Sequence, residues 1–205
     1  MSDPTTRPRL PTVDAAQVMS QRREAAKQAA GRRLERERKL AERLIEWLGQ
    51  DLVRHEAFRD QQSLLVKLPR VHEALRFCRD QLGFAVLTDV TAVDTLKLEG
   101  DHPERFWVVW TLTNLEQEAR LRLKAYVSED DPVVPTASDL WPAADWAERE
   151  VYDMFGLEFS GHPNLIRILM PFDYAGHPLR KDYPLRGRGE RDNFPVIPRA
   201  GRQGG

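Results

Sequence analysis

Proline stands at positions 163, 171, 178, 184, 195 and 198, and no other feature restricts the chain so sharply. Each proline removes a backbone N–H and pushes the residue before it out of the helical region. Long helices and strands do not fit between them, so residues 161–205 are expected to form a stiff, extended interface arm. Whatever core the chain has must come from earlier residues. Twice in the arm a proline follows glycine and histidine, in GHPNL from Gly161 and GHPLR from Gly176. The two histidines, His162 and His177, invite a metal or acid–base reading.

The metal reading meets obstacles. Catalytic zinc needs about three protein ligands and structural zinc about four. The chain has one cysteine, no HExxH spacing, and only Asp153, Asp173 and Asp182 nearby to complete a set. In each Gly-His-Pro the glycine permits unusual dihedrals and the proline holds the histidine extended. The pair therefore reads as backbone shape in preference to metal.

Upstream, the pattern is α+β. Asp14 to Gln50 favours helix, being rich in Ala, Arg, Glu and Lys. Only its second half is amphipathic, with Leu40, Leu44, Trp47 and Leu48 at helical spacing, continued by Leu52. Residues 1–39 thus form a charged extension, flexible or helical, led by the proline-bearing segment Met1–Val13. Residues 40–160 form the core domain. Ser63–Pro69, Phe84–Thr91 and Arg105–Thr113 read as strands, and Arg70–Leu82 as a helix stopped by Gly83. In ARLRLKAYV (Ala119–Val127) apolar and polar residues alternate, marking a strand with one wet face. The short NLEQE linker makes it a hairpin partner of the strand before it. A helix from Pro142 to Phe155 ends at Gly156, with Ala143, Ala147, Val151 and Met154 along its apolar stripe. Asp145 and Arg149 are spaced to pair on that helix. The fold class is α+β: a two-layer, mainly antiparallel sheet packed by helices.

Composition removes several functions. A single cysteine, Cys78, excludes an intrachain disulfide and a self-contained iron–sulfur cluster, which needs about four thiolates. On its helix, Cys78 reads as a core residue. No apolar run approaches the roughly 18 residues of a spanning helix, so any membrane contact is expected through a partner. The net charge of −1 gives no general pull toward nucleic acid. Its distribution is uneven: residues 128–158 carry nine acids against Arg149 alone, while residues 180–205 carry seven bases against three acids. The carboxylates Glu148, Glu150 and Asp153 are dense enough for acid–base chemistry, but their spacing suits surface ion pairs with Arg149. GRGERD (Gly187–Asp192) lacks the third glycine and the preceding strand of a phosphate loop. With one stacking residue, Tyr183, the basic tail makes a poor nucleic-acid module.

EREVYDMFGLEFSGHPNLIRILMPFDYAGHPLRKDYPL (Glu148–Leu185) resembles the signature of the C-subunit family of NADH:quinone oxidoreductase, the bacterial respiratory complex I. ERFWVVWTLTN, RLRLKAYV and DPVVPTASDLW extend the likeness upstream, so that it covers about Leu40 to Pro198. The resemblance implies a peripheral-arm subunit that holds no flavin, cluster or metal and has no catalytic site of its own. FMN and the iron–sulfur clusters are expected in partner subunits, through which electrons pass from NADH to quinone as the membrane subunits move protons. The chief partner implied is the quinone-site large subunit (the D subunit), at the cytoplasmic face of the bacterial cell membrane. The expected interface residues are Glu148, Arg149, Glu150, Asp153, His162, Arg167, His177, Arg180, Lys181, Asp182 and Tyr183. Related subunits serve ferredoxin- or deazaflavin-linked oxidoreductases and membrane-bound hydrogenases. A stand-alone metal hydrolase using His162, His177 and a carboxylate is the alternative from a different class.

Overall fold

A computed structural model of the chain describes residues 15–59, 61–100 and 102–189. The leader Met1–Val13 and the tail from residue 190 lie outside the described residues.

The chain opens with α1 (Ala15–Leu48), 34 residues long and so about 51 Å from end to end. Its second half docks as the spacing requires: Leu40, Ala41, Leu44 and Leu48 are buried. Docking begins earlier, at Glu37, whose carboxylate is 1% exposed and accepts from Arg33 Nε at 2.9 Å and Arg120 N at 2.8 Å. Trp47 is not in the buried stripe. It lies at the rim, stacked on Phe77 with centroids 4.6 Å apart and capped by the Arg70 guanidinium.

Leu52 does not continue the helix but begins β1 (Leu52–Phe58), which pairs antiparallel with β2 (Gln61–Val66). Then come α2 (Val71–Leu82), β3 (Val86–Asp94), β4 (Phe106–Asn114) and β5 (Ala119–Val127). The helix α2 stops where Gly83 turns left-handed, φ +72°, and Cys78 sits fully buried on its inner face. The five strands lie in the order β1-β2-β5-β4-β3. All neighbours are antiparallel except β2 and β5, which run parallel, Leu64 facing Leu123. The sheet is therefore mixed, though mainly antiparallel.

Alternation along β4 separates the two faces. Phe106, Val108, Trp110, Leu112 and Asn114 are buried, while Trp107, Thr111 and Thr113 keep contact with water. The inner face packs on α1, α2 and α3 (Ala144–Phe155), which makes the two-layer α+β fold anticipated from the sequence. Of the expected apolar stripe of α3, Val151 and Met154 are buried and Ala147 packs partly buried on the core, while Ala143 is exposed and Ala144 and Phe155 join the buried face. Two short strands, β6 (Val133–Pro135) and β7 (Glu158–Ser160), pair in parallel and bracket α3.

Beyond β7 no described residue is helical or in a strand, as the prolines require. The arm does not project from the domain. It folds back over α3 and the ends of β3 and β5, and a small number of buried charges hold it there.

Candidate functional site

The arm is fastened at two points, and each is organised around a carboxylate with no exposure to water. The first is Asp153, in the last turn of α3. Its Oδ2 accepts from three successive backbone N–H groups, Ile168 at 3.1 Å, Leu169 at 2.8 Å and Met170 at 2.8 Å. Its Oδ1 accepts from Arg167 Nη1 at 2.6 Å. A run of N–H groups converging on one oxygen is an anion nest, here filled by the chain's own side chain. Burial alone would raise the pKa of Asp153. The three N–H groups and Arg167 outweigh it and hold the carboxyl below its usual range.

Arg167 also donates to Gly176 O at 3.0 Å, carrying the fastening to the second Gly-His-Pro corner. There His177 donates from Nδ1 to Asp153 O at 3.0 Å, and Leu179 N donates to Met154 O at 3.1 Å. The imidazole lies against Gly156, the left-handed end of α3 with φ +77°. A Cβ at position 156 would stand 2.6 Å from His177 Nε2, so the arm needs that glycine for space as well as for conformation. Burial, aided by the Arg167 and Arg180 charges, pulls the His177 pKa below the ordinary histidine value.

The second fastening is Asp94, at the end of β3. Its Oδ1 accepts from Leu96 N at 3.0 Å and Arg105 Nε at 3.2 Å. Its Oδ2 accepts from Arg105 Nη2 at 2.9 Å and from Lys181 N, on the arm, at 2.8 Å. Arg105 reaches Asp182 Oδ1 at 2.8 Å and also meets Glu129. Arg180 returns to Glu129 at 2.6 Å, and both guanidiniums lie over the Phe106 ring. Asp94 chiefly, then Asp182, pushes the Arg105 pKa up; against burial, the guanidinium and the two N–H donors hold the Asp94 carboxyl low. Farther along, Tyr183 shares a 2.6 Å hydroxyl contact with Tyr174.

The remaining candidates divide. Glu148 is fully buried; it meets the Thr136 hydroxyl at 2.5 Å and accepts from Ala137 N at 2.6 Å. Burial, followed by the charges of Asp139 and Asp145, outweighs these bonds and raises its pKa to about 7. Surface ion pairing, expected for Glu148 and Asp153, is therefore overturned: both carboxylates are internal struts, and of the set only Glu150 faces water. Arg149 does not pair with Asp145. It donates to the carbonyls of Ile166 at 3.1 Å and Arg167 at 3.4 Å, with its guanidinium over Trp146.

The partner of Asp145 is His162, whose Nε2 lies 3.3 Å from Asp145 Oδ1 and 3.2 Å from its carbonyl. The His162 Nδ1 accepts from Asn164 N at 3.0 Å. His162 thus sits at the start of α3 and His177 at its end. Eight residues of helix rise separate their contacts by about 12 Å, so the histidines do not converge on one ion. Among the described residues no group of three His, Cys, Asp or Glu side chains is placed to hold a metal. The hydrolase alternative loses its ligand set. Asp94, Arg105 and Glu129 were not among the candidates. Of these, Arg105 stands in ERFWVVWTLTN, and the β3–β4 register sets Asp94 opposite Phe106, beside it; Glu129 has no such signal.

While its backbone is bound inward, the arm turns large apolar side chains outward. Ile166, Leu169, Phe172, Leu179 and Leu185 are all exposed, Phe172 by 94%.

Residues 64–189 match a family model described as respiratory-chain NADH dehydrogenase, 30 Kd subunit. The C subunit of NADH-quinone oxidoreductase from Citrifermentans bemidjiense is 50% identical over 130 residues, 63% of this chain and 78% of that one. Its counterpart in Geotalea uraniireducens is 40% identical over 145 residues, 71% of this chain and 86% of that one. Among solved structures, a trypsin-resistant fragment of Nqo5 aligns with a TM-score of 0.57 at 34% identity, covering 62% of this chain and 99% of the fragment. A chain of the archaeal membrane-bound sulfane sulfur reductase aligns with a TM-score of 0.58 at 20% identity, over 81% and 96%, a likeness of fold. The family match spans both fastenings of the arm.

Proposed function

Because the chain belongs to the 30 kDa subunit family of respiratory-chain NADH dehydrogenase, the C-subunit family of NADH-quinone oxidoreductases, we propose that it acts as a scaffold. In this reading the protein braces the quinone-site large subunit (the D subunit) and carries no redox centre of its own. FMN and the iron–sulfur clusters that take electrons from NADH to quinone belong to neighbouring subunits of this proton-translocating complex.

The observation that carries this reading is the arm itself. Its backbone is immobilised by Asp153 and Asp94, yet Leu169, Phe172 and Leu185 point into water. Prefixed, apolar and outward-facing, such a surface loses little entropy on docking, the condition for a permanent interface. Large exposed apolar groups clustered on one segment mark a site of association more often than a solvated surface. The composition supports the division of labour: Cys78 is buried, its thiol pKa is pushed well up by burial, and a cluster needs about four thiolates. Among the described residues no helix is long and apolar enough to cross a membrane. Attachment at the cytoplasmic face would then come through the complex.

The test is a Leu169→Ser/Phe172→Ser variant expressed with its native partners. Both side chains are exposed, so the isolated chain should keep its melting temperature within the small range of surface changes. Co-purification with the large subunit should be lost. Normal assembly with defective quinone reduction would instead assign the arm a direct part in the chemistry.

A further inference from the structure

A groove of about 520 Å³ runs between the corner after β3 and the stretch of arm from Pro178 to Leu185. Both walls hang on one carboxylate. Asp94 accepts the Leu96 N–H with one oxygen and the Lys181 N–H with the other. The corner is further braced by Leu98 N donating to Thr95 O at 2.8 Å and by the Thr95 hydroxyl donating to Arg105 O at 2.8 Å. The width of the groove is thus set by the buried charge beneath it, and the groove exists before anything enters.

Its chemistry is asymmetric. Leu96, Leu179 and Leu185 border it and are exposed. Of its charged groups, Asp182 and Arg180 are already engaged, by Arg105 and Glu129 respectively. Lys97 and Lys181 have no carboxylate partner among the described residues, although both line the groove. A leucine-lined cleft with two uncompensated ammonium groups is complementary to an apolar side chain flanked by carboxylates. Placing opposite charges across such a rim speeds association and fixes register.

We propose that this groove docks an acidic segment of a neighbouring subunit, one leucine-sized side chain entering between Leu96, Leu179 and Leu185 while two carboxylates meet Lys97 and Lys181. This rests on the scaffold reading above and adds to it the place and the chemistry of a contact.

The experiment compares lysine acetylation, and carbodiimide cross-linking of amines to carboxylates, in the free full-length chain and in the intact purified complex. Lys97 and Lys181 should label about tenfold less in the complex, as expected of groups enclosed by an electrostatic interface. They should also cross-link to Asp or Glu of another subunit. A Lys97→Glu/Lys181→Glu chain should associate with its partners about tenfold more slowly at low salt, the difference shrinking as salt rises, at unchanged thermal stability, by the same rule. Equal labelling in both states, cross-links confined to this chain, or protection lost on delipidation of an assembled complex would each overturn the groove as a protein-docking site. The last result would assign it to anionic lipid. If no larger partner co-purified at all, the scaffold reading would fall first, so the two failures are separable.

Discussion

Glu148 shows how far a single residue can depart from its place in a sequence pattern. Its carboxyl is fully buried on α3, with a pKa raised from the ordinary 4.5 to about 7. Both protonation states find partners. When ionised it accepts from the Thr136 hydroxyl; when neutral it donates to Thr136, whose proton turns to Ser138 Oγ at 2.8 Å. Between pH 4.5 and about 7 the folded protein holds this proton and the unfolded chain has released it. Stability therefore falls as pH rises through that window. Glu148→Gln keeps the shape and an acceptor for Ala137 N but cannot ionise. Relative to wild type it should gain about 3 kcal/mol at pH 8 and little or nothing at pH 4, the worth of such a shift. Urea denaturation at both pH values checks this, and a difference independent of pH would refute it. None of this was legible beforehand, since a carboxylate on a helix surface pattern defaults to solvent and its partners include a backbone N–H with no signature in the sequence. Asp153 was hidden for the same reason.

At the level of elements, what could be read was what local chemistry decides. Gly83 and Gly156 end their helices in the left-handed conformation, and the alternation in Ala119–Val127 is the strand β5 residue for residue. The strand β1 stayed unread because VRHEAF lies at the sheet edge, mostly exposed on both faces, and offers no alternation. The parallel pairing of β2 with β5 stayed unread because it joins residues far apart in the chain. The arm's lack of regular structure followed from its prolines; its attachment to the domain depends on Asp94, which no motif contains, and on Arg105, whose place in ERFWVVWTLTN gives no sign of its partner. The junction of α3 and arm gives a direct prediction. Gly156→Ala introduces a Cβ at φ +77° and at 2.6 Å from the His177 ring, costing about 2–3 kcal/mol through backbone strain and the displaced imidazole. Trypsin should then cut faster after Arg180 and Lys181 while the far-ultraviolet circular dichroism stays the same. Cleavage at the wild-type rate would show that His177 does not hold the arm down.

Across the whole molecule, stability should be graded. The inner face of the sheet and the last turns of α1 share one core, whereas residues 17–32 of α1 are exposed or nearly so. A helix segment that buries nothing relies on propensity alone and frays. Hydrogen exchange on the free chain should find amides of residues 17–32 exchanging orders of magnitude faster than those of residues 40–48, which open only with the core. Slow exchange along the entire helix would contradict this. The same helix in the assembled complex should slow if a neighbouring chain covers it.

The parallel seam between β2 and β5 also constrains the order in which the protein comes into being. The β1–β2 hairpin is made early on the ribosome, but the strand that completes it arrives about 60 residues later, a long loop to close by the standards of small domains. Until Leu123 emerges opposite Leu64, the first hairpin and α1 share no finished sheet, and the open edge of β2 is available to any other strand. The nascent protein therefore cannot complete the sheet around its N-terminal third until β5 has emerged, and in that interval it is most exposed to mispairing and most dependent on whatever shelters it.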